Sequence, residues 1–396
     1  MVKGKVHYVG VNDRTKHLFE AMWPLPYGVS YNSYLIYDEI IALVDTVDAC
    51  YFETYLNKIK NIIGERPINY LIVNHMEPDH SGSIKLIKQY YPEIVIVGNK
   101  QTFGMIEGYY GVTGLKYVVN DGDFLSLGHH KLRFYLTPMV HWPETMMTFD
   151  ETEGVLFSGD AFGCFGALDG GFKDVNINTD RYWPEMVRYY SNIVGKYGSP
   201  VQKALQKLGG LPITTICSTH GPVWTESIPR VVEMYDRLSC YEAQEGVVIV
   251  YGSMYGHTEQ MAEAIAARLS SEGIRDIVIH NVSKSHSSYI LADIFRYKGL
   301  IIGSPTYCNH IYPEVESLLS KIQLREIKNR YVGVFGSFTW AGAAVKRMME
   351  FIQKSKCEIV GEPVEMKQAM SSTVHAQCNE LAKSMADRLI KDREGK

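Results

Sequence analysis

The densest group of metal-binding side chains in the sequence lies in the stretch 74–80, which reads NHMEPDH. It directly follows the apolar run 71–73, which predicts a buried strand. Imidazole and carboxylate groups that alternate in so short a loop direct several lone-pair donors into one small volume. Three later residues, each in a short loop beside an apolar segment, can complete the set: His141, Asp160 and His220. The pattern predicts a site for two metal ions.

The ligand types in this set favour iron or manganese. Carboxylate and imidazole ligands without a thiolate suit these metals better than an all-nitrogen zinc site would. The three carboxylates carry a charge of −3, which leaves +1 against two ferrous ions and +3 against two ferric ions. A charge that stays modest in both states suits a site that cycles between them. The candidate ligands are His75, Glu77, Asp79, His80, His141, Asp160 and His220.

The second half of the chain carries three loops that suit a flat ligand with a phosphate group. They span 253–258, 303–309 and 336–342, and each follows an apolar strand pattern. Hydroxyl residues and backbone N–H groups at a strand-to-helix turn bind phosphate well. The loops contain neither GxGxxG nor GxxxxGK[ST], so a dinucleotide or a nucleoside triphosphate is not favoured. The candidate contacts are Ser253, Met254, Tyr255, Gly256, His257, Thr258, Pro305, Thr306, Tyr307, Asn309, Ser337, Phe338, Thr339, Trp340, Ala341 and Gly342.

These motifs require two different scaffolds. From Val6 to about Thr225, short strand patterns alternate with turns and a few helices, which favours a β-rich layered α/β domain with its site on loops at strand ends. From Gly246 onward, wholly apolar strands alternate with amphipathic helices, which predicts a parallel sheet covered on both faces. We therefore expect two domains, residues 1–245 and 246–396.

The composition excludes several classes of protein. The chain has 396 residues, and 40 basic against 44 acidic side chains give a net charge of −4, so it lacks the basic surface typical of nucleic-acid or anionic-membrane binding. No stretch approaches the ~18 apolar residues that span a bilayer, and the N-terminus lacks the apolar core of a signal peptide. The seven cysteines are scattered without a CxxC pair, which argues against a disulfide framework, a zinc ribbon, covalent haem or a built-in rubredoxin-type centre. We expect a cytoplasmic protein.

The two motif sets together resemble one family. The stretch 74–80 with the later His, Asp and His resembles the metallo-β-lactamase signature HxHxDH, with Glu77 in place of the second His. The three loops of the second half resemble flavodoxins in order and content. A chain with both resembles the flavodiiron proteins, or A-type flavoproteins. The resemblance implies an N-terminal metallo-β-lactamase-like αβ/βα sandwich, followed by a C-terminal flavodoxin-like doubly wound parallel sheet.

The resemblance also implies the cofactors, FMN and two non-haem irons. One iron would be held by His75, Glu77 and His141, and the other by Asp79 and His220, with Asp160 as a bridge. His80 is either a further ligand or is replaced by water in this family. The first loop of the second half would bind the FMN phosphate, and the other two would surround the isoalloxazine ring.

The activity implied is reduction of O2 to water with four electrons, of NO to N2O, or of both. Two irons and one flavin together supply the four electrons that O2 requires. Electrons would come from an external donor, which is a rubredoxin-like protein, a reduced deazaflavin or a reductase. A head-to-tail homodimer, or a dimer of dimers, would bring the FMN of one chain to the irons of another.

Two other interpretations use the same residues. A binuclear zinc hydrolase of the metallo-β-lactamase superfamily would use the ligands to generate hydroxide, with the flavodoxin-like half as an accessory domain. A pure electron carrier would use the first domain only as a scaffold. Stoichiometric iron favours the reductase, and two zinc ions with ester or thioester cleavage favour the hydrolase.

Overall fold

The computed structural model describes residues 1–394 and divides the chain into two compact units, Met1–Ser239 and Cys240–Lys396. Within residues 1–394, no helix is both long enough and apolar enough to cross a membrane. Each unit is built around its own apolar core.

The first unit contains fifteen strands, most of them short. They are β1 (Val6–Tyr8), β2 (Val11–Asp13), β3 (Leu18–Phe19), β4 (Trp23–Pro24), β5 (Val29–Tyr31), β6 (Tyr34–Ile36), β7 (Ala42–Val44), β8 (Tyr70–Ile72), β9 (Val95–Gly98), β10 (Lys116–Val118), β11 (Phe124–Ser126), β12 (Lys131–Leu136), β13 (Met146–Asp150), β14 (Val155–Gly159) and β15 (Thr215–Ser218).

Seven α-helices connect these strands. They are α1 (Phe52–Ile63), α2 (Pro78–Ser81), α3 (Ile84–Tyr90), α4 (Lys100–Tyr110), α5 (Tyr182–Tyr189), α6 (Gly198–Leu208) and α7 (Ile228–Ser239). Local sequence sets their ends. The Asn99 side chain accepts hydrogen bonds from the first N–H groups of α4, and Gly111 ends that helix with a φ of 61°.

Two sheets form the body of this unit. The first has six strands in the order β1-β6-β7-β8-β9-β10, and the second has five in the order β11-β12-β13-β14-β15. Apolar side chains from both sheets, such as Ile72 and Phe157, form one buried cluster between them. The strands β7, β8, β9 and β10 run parallel to one another, and so do β14 and β15. Loops that follow β7, β8, β14 and β15 carry the polar residues described below.

Residues 240–394 of the second unit form seven strands and five helices. The strands are β16 (Gln244–Tyr251), β17 (Ile277–Asn281), β18 (Tyr297–Tyr307), β19 (His310–Ile311), β20 (Lys328–Phe338), β21 (Lys356–Ile359) and β22 (Val364–Lys367). The helices are α8 (His257–Ser271), α9 (Ser287–Arg296), α10 (Pro313–Leu324), α11 (Ala344–Gln353) and α12 (Ser372–Glu394).

The sheet of the second unit is parallel and doubly wound. Its order is β17-β16-β18-β20, and the fifth position is shared by β21 and β22, which both pair with β20. This corresponds to the 2-1-3-4-5 order of flavodoxin-like folds, whose ligands bind at the carboxyl ends of the strands. Helices α8 and α12 bury apolar side chains such as Ile265 and Leu381 against the sheet.

The predicted fold class is confirmed in both units. Two strands of the second unit extend further than the sequence patterns indicate. β18 continues to Tyr307 because residues 306–307 pair with β19, and β20 continues to Phe338 because residues 335–338 pair with β22. Part of each expected loop is therefore extended backbone held by hydrogen bonds.

Candidate functional site

The loop that follows β8 is anchored by two buried carboxylates. Asp45 accepts hydrogen bonds from the backbone N–H and the side-chain amide of Asn74, at 2.8 and 3.0 Å. Glu144 accepts a hydrogen bond of 2.9 Å from the backbone N–H of Met76. Pro78 then begins the short helix α2. These contacts hold the backbone of the loop in a defined path, so its side chains are oriented before any ligand binds.

All seven predicted metal ligands converge on one buried space in the first unit. Four of them form a first donor group: His75, Glu77, His141 and Asp160. Nε2 of His141 lies 3.1 Å from Oε2 of Glu77 and 3.1 Å from Oδ2 of Asp160. Nε2 of His75 lies 3.6 and 3.7 Å from the same two oxygens. The donor atoms therefore surround one small volume.

A second donor group adjoins the first and contains Asp79, His80 and His220. Nε2 of His220 lies 3.2 Å from Oδ2 of Asp79, and Nε2 of His80 lies 3.6 Å from Oδ1 of Asp79. Oδ1 of Asp160 lies 3.1 Å from Nε2 of His80 and 3.5 Å from Nε2 of His220. Asp160 thus directs Oδ2 to the first group and Oδ1 to the second, as a bridging carboxylate does.

The donor atoms fit metal ions better than they fit one another. Nε2 of His75, both oxygens of Asp79, both ring nitrogens of His80 and Nε2 of His220 are buried and make no hydrogen bond within the described residues. Buried polar atoms without hydrogen bonds carry a large desolvation cost unless a cation satisfies them. This donor set, imidazole and carboxylate without thiolate, has the chemistry that iron and manganese prefer.

The outer ring nitrogens of two histidines are held by other groups. Nδ1 of His75 lies 2.6 Å from Oε1 of Glu144, and Nδ1 of His220 lies 2.8 Å from the carbonyl oxygen of Ser30. In each case the proton on Nδ1 is donated outward, which leaves Nε2 as a lone-pair donor toward the cluster. Metal-binding histidines are commonly oriented in this way.

The electric field of the cluster favours positive charge. Burial lowers the pKa values of His75, His80 and His141, but the carboxylates that face them outweigh this effect. The pKa of His75 and that of His141 rise to about 10, and that of His80 rises to about 9. Burial alone would raise the pKa of Asp160, yet the surrounding imidazoles hold it well below its usual range. Protons on the histidines balance the charge of the carboxylates when no metal cation is bound.

An open pocket of about 450 Å³ leads to the donor groups. Glu20, on the turn between β3 and β4, lines it together with Glu77 and Asp79. Nε1 of Trp23 donates a hydrogen bond of 2.9 Å to Oε2 of Glu20. Burial and the facing carboxylate of Glu77 raise the pKa of Glu20 to about 7. The sequence patterns did not indicate this residue.

The second unit holds a cavity of about 360 Å³ at the carboxyl edge of its sheet. The Thr258 and Ser337 hydroxyls lie 2.8 Å apart in its wall, and Gly256 caps the start of α8 with a φ of 86°. The first N–H groups of a helix have no intrahelical partner, so this loop suits a phosphate. The cavity is lined by Ser253, Met254, Tyr255, His257, Thr258, Pro305, Thr306, Ser337, Phe338, Thr339, Gln368 and Ala369.

Comparison with known proteins relates both units to one family. Residues 29–221 match the family described as ODP family beta lactamase, and residues 249–381 match flavodoxin. The chain is 32% identical over 365 residues to the anaerobic nitric oxide reductase flavorubredoxin of Escherichia coli, which covers 91% of this chain and 76% of that protein. It is also similar to the solved rubredoxin oxygen:oxidoreductase of Desulfovibrio gigas, with a TM-score of 0.94 and 30% identity over 98% of this chain and 97% of that one.

The chain belongs to the flavodiiron protein family. The crystal structure of the flavodiiron protein from Giardia intestinalis is similar as well, with a TM-score of 0.93 and 26% identity over 99% of this chain and 96% of that one. Membership makes the protein an oxidoreductase. FMN and a non-haem diiron pair are the cofactors that the family implies, and the cavity and the donor groups fit them.

Six predicted flavin contacts of this flavodiiron protein do not line the cavity but lie in the same three loops: Gly256, Tyr307, Asn309, Trp340, Ala341 and Gly342. The aromatic rings among them are at the surface. Trp340 is 88% exposed. Tyr255, which does line the cavity, is 89% exposed. Gln368 and Ala369, directly after β22, were not predicted.

Residues elsewhere behave as ordinary packing or polar pairs. His130, in the turn before β12, is buried and its Nδ1 lies 2.7 Å from Oδ2 of Asp150, outside the donor groups. Nearer the site, the Trp142 ring lies 5.3 Å from that of His75, at an angle of 84°. Phe165 packs on Tyr189, whose ring lies 5.7 Å from that of His220. These aromatic side chains surround the cluster with apolar surface.

Proposed function

We propose that the protein is a flavodiiron oxidoreductase that reduces O2 to water with four electrons, or NO to N2O, or both. The reaction would take place at a diiron site supplied with electrons by FMN. One observation carries this proposal: Asp160 directs its two carboxylate oxygens to two adjoining groups of buried donor atoms. That arrangement suits two metal ions at bonding distance from one carboxylate.

The ligand assignment follows from the two donor groups. His75, Glu77 and His141 would hold one iron, and Asp79, His80 and His220 the other, with Asp160 between them. His80 is included because both of its ring nitrogens are buried and make no hydrogen bond within the described residues. Its donor atoms also lie within 4.8 Å of those of Asp79 and His220.

A diiron pair held by these residues would supply electrons and stabilise negative charge that develops on O2 or NO. The residues of the chain orient the ligands and cover part of the cluster. Glu144 and the carbonyl group of Ser30 fix two imidazole rings, and Trp142 and Tyr189 cover the donors with apolar surface. No nucleophilic side chain is required for this chemistry.

FMN would occupy the cavity of the second unit. The loop 253–258 and the first turn of α8 would bind the phosphate, since N–H groups and hydroxyls are available there. Segments 305–309 and 337–342 would surround the isoalloxazine ring. Gln368 and Ala369 are additional candidates for contacts, because they line the same cavity.

We further propose a head-to-tail homodimer in which the flavin of one chain faces the irons of its partner. Exposed apolar side chains at both entrances support it. Tyr255 lines the flavin cavity and Trp340 lies in one of the three loops around it, while Leu18 and Met22 lie on the β3–β4 hairpin, whose residues Phe19 and Glu20 line the metal pocket. Exposed apolar patches commonly mark interfaces. The electrons would come from an external donor, which is a rubredoxin-like protein, a reduced deazaflavin or a reductase.

Anaerobic stopped-flow spectroscopy tests the proposed function directly. The protein is reduced with an excess of artificial donor and mixed with O2, and separately with NO. Reoxidation of flavin and iron by O2 within milliseconds and without peroxide identifies an oxygen reductase, which we rank first. Sustained conversion of NO to N2O with slow reaction toward O2 identifies a nitric oxide reductase. Two bound zinc ions, with ester cleavage and neither reductase reaction, contradict the proposal.

A further inference from the structure

Glu20 is a carboxylate in the wall of the metal pocket that lies outside the seven residues of the assigned ligand set. It lies on the three-residue turn 20–22 of the β3–β4 hairpin, where Glu20 and Ala21 have φ values of 48° and 55°. The hydrogen bond from Met22 N–H to the Phe19 carbonyl closes the turn. The hairpin thereby places the side chain of residue 20 over the metal pocket.

The carboxyl group of Glu20 is held in place and faces the first donor group. Nε1 of Trp23 donates to Oε2 at 2.9 Å. The same side chain lines the metal pocket together with Glu77 and Asp79. Glu77 belongs to the donor group assigned to one iron, and it is the charged group that contributes most to the raised pKa of Glu20. Two carboxyl groups in one pocket share a cation favourably and repel each other without one.

We propose that Glu20 is an outer carboxylate of the metal centre that raises the affinity of the first donor group, which contains Glu77, for a divalent cation. This inference rests on the proposed function, since it assumes that the donor groups bind metal. Glu20 acts by its negative charge near the bound ion, at a position beside Glu77 in the wall of the same pocket. It is a positioning and charge-tuning residue and is not needed to complete either donor group.

The other outer acid of this pocket is already neutralised. Oδ2 of Asp48 lies 3.2 Å from Nζ of Lys16, which also donates a hydrogen bond of 2.9 Å to the Tyr31 hydroxyl. The charge of Asp48 is therefore largely compensated by its own partner. Among residues 1–394, no Lys or Arg side chain forms an ion pair with Glu20, and its hydrogen-bond donor is the neutral indole N–H of Trp23. No cationic side chain therefore compensates the charge of Glu20 as Lys16 compensates that of Asp48.

Stepwise binding of Mn²⁺ alone to the full chain, after removal of metal by a chelator, tests this proposal. Titration calorimetry gives a dissociation constant for each of the two ions. We expect Glu20→Gln and Glu20→Ala each to raise one dissociation constant by roughly tenfold and to leave the other unchanged, since outer partners of metal ligands have effects of this size. Met22→Gln, on the same turn, and Glu93→Gln, which removes the same charge at a distant exposed site, are the matched controls.

Three outcomes overturn the inference. If both Glu20 variants bind two Mn²⁺ ions as the wild type does, Glu20 has no role in the site, and the proposed function stands. If both binding steps weaken equally, or Met22→Gln has the same effect, the hairpin acts through structure and not through charge. If the wild-type chain binds no Mn²⁺ and no iron, this inference and the proposed function are both wrong.

Discussion

Oε1 of Glu144 lies 2.6 Å from Nδ1 of His75, on the side of the imidazole ring that faces away from the donor groups. The same oxygen accepts the backbone N–H of Met76, so one buried carboxylate fixes both the ring and the loop that carries it. The negative charge of Glu144 also strengthens His75 as a donor, because it stabilises positive charge on the ring.

Glu144→Gln should therefore weaken metal binding without removing a ligand. The amide keeps the size of the side chain but loses the charge-assisted contact with His75. We expect the affinity for iron to fall by roughly 10- to 100-fold. Competition with a chelator under anaerobic conditions measures the change. Glu151→Gln, an exposed neighbour just after β13, should retain wild-type affinity; equal losses in both variants would contradict a role through His75.

Asp160→Asn should abolish turnover and leave the flavin functional. An asparagine offers one neutral oxygen where the carboxylate offers two charged ones, so the two donor groups lose their shared ligand. We expect metal content to fall and reduction of O2 and NO to be lost, while FMN is still bound and still reduced by the artificial donor. Metal analysis and flavin absorbance measure these effects. Substrate turnover by a variant without metal would show that the chemistry occurs elsewhere.

Thr258→Val should weaken FMN binding by roughly five- to tenfold. Valine conserves the shape of the side chain and removes one hydroxyl from the wall of the cavity, and one hydrogen bond contributes about 1 kcal/mol. The contact with the Ser337 hydroxyl is lost as well. Fluorescence titration of the flavin-free chain with FMN measures the dissociation constant. Ser270→Ala, near the opposite end of α8, serves as the control, and a similar loss there would argue against a local effect.

The His130–Asp150 pair should make the stability of the first unit depend on pH. Burial lowers the pKa of His130. The negative charge of Asp150 has a larger opposite effect, to which Asp38 and Glu153 add, so the pKa is raised above 6.5. A raised pKa means that the stabilisation is complete below pH 6.5 and is lost as the pH rises through the folded-state value. His130→Gln should therefore lower the free energy of unfolding more at pH 6 than at pH 9.

Denaturant unfolding of the metal-free chain at both pH values measures this difference. The exposed neighbour His129 lies 3.7 Å from Glu153 and provides the control variant His129→Gln, which should leave the free energy of unfolding close to the wild-type value because exposed ion pairs contribute little. If His130→Gln destabilises the chain equally at pH 6 and pH 9, the pair contributes by packing and not by charge.

Met22→Lys should disrupt the proposed homodimer. A charged side chain on the exposed tip of the β3–β4 hairpin is costly to bury against a partner. We expect sedimentation to show monomers and the transfer of electrons from flavin to substrate to slow, with FMN and metal content unchanged. Leu324→Lys introduces the same charge at another exposed apolar position, at the end of α10. A variant Met22→Lys that remains dimeric would place the interface elsewhere.

Local spacing in the sequence predicted the parts of the site that lie on one segment. Residues 74–80 carry four of the seven proposed ligands within a single loop, and a buried strand before them is evident from three apolar residues. The strands of the second unit were also evident, because parallel strands covered on both faces are apolar throughout. In both cases the prediction depends on residues that are close together in the sequence.

The residues of the metal site that the sequence did not predict are far from the ligand loop in the sequence and approach it only in the folded chain. Glu144, Asp45 and Glu20 are isolated acids in the sequence, and only tertiary packing places each beside a residue of the ligand loop. Gln368 was missed because β22 was missed. That strand has only four residues, although Val364 and Met366 are buried and alternate with exposed neighbours, which is a weak strand signal.

The division of the chain into two compact units has a consequence for how the holoprotein is made. Every donor atom of the proposed metal centre lies before Ser239, and every residue of the flavin cavity lies after Cys240. We therefore expect each cofactor to bind within one unit, so that the two can be loaded in either order. The proposed function then predicts that a cell short of iron accumulates a flavin-loaded chain that accepts electrons but cannot pass them to substrate, and that this chain becomes active when iron is supplied.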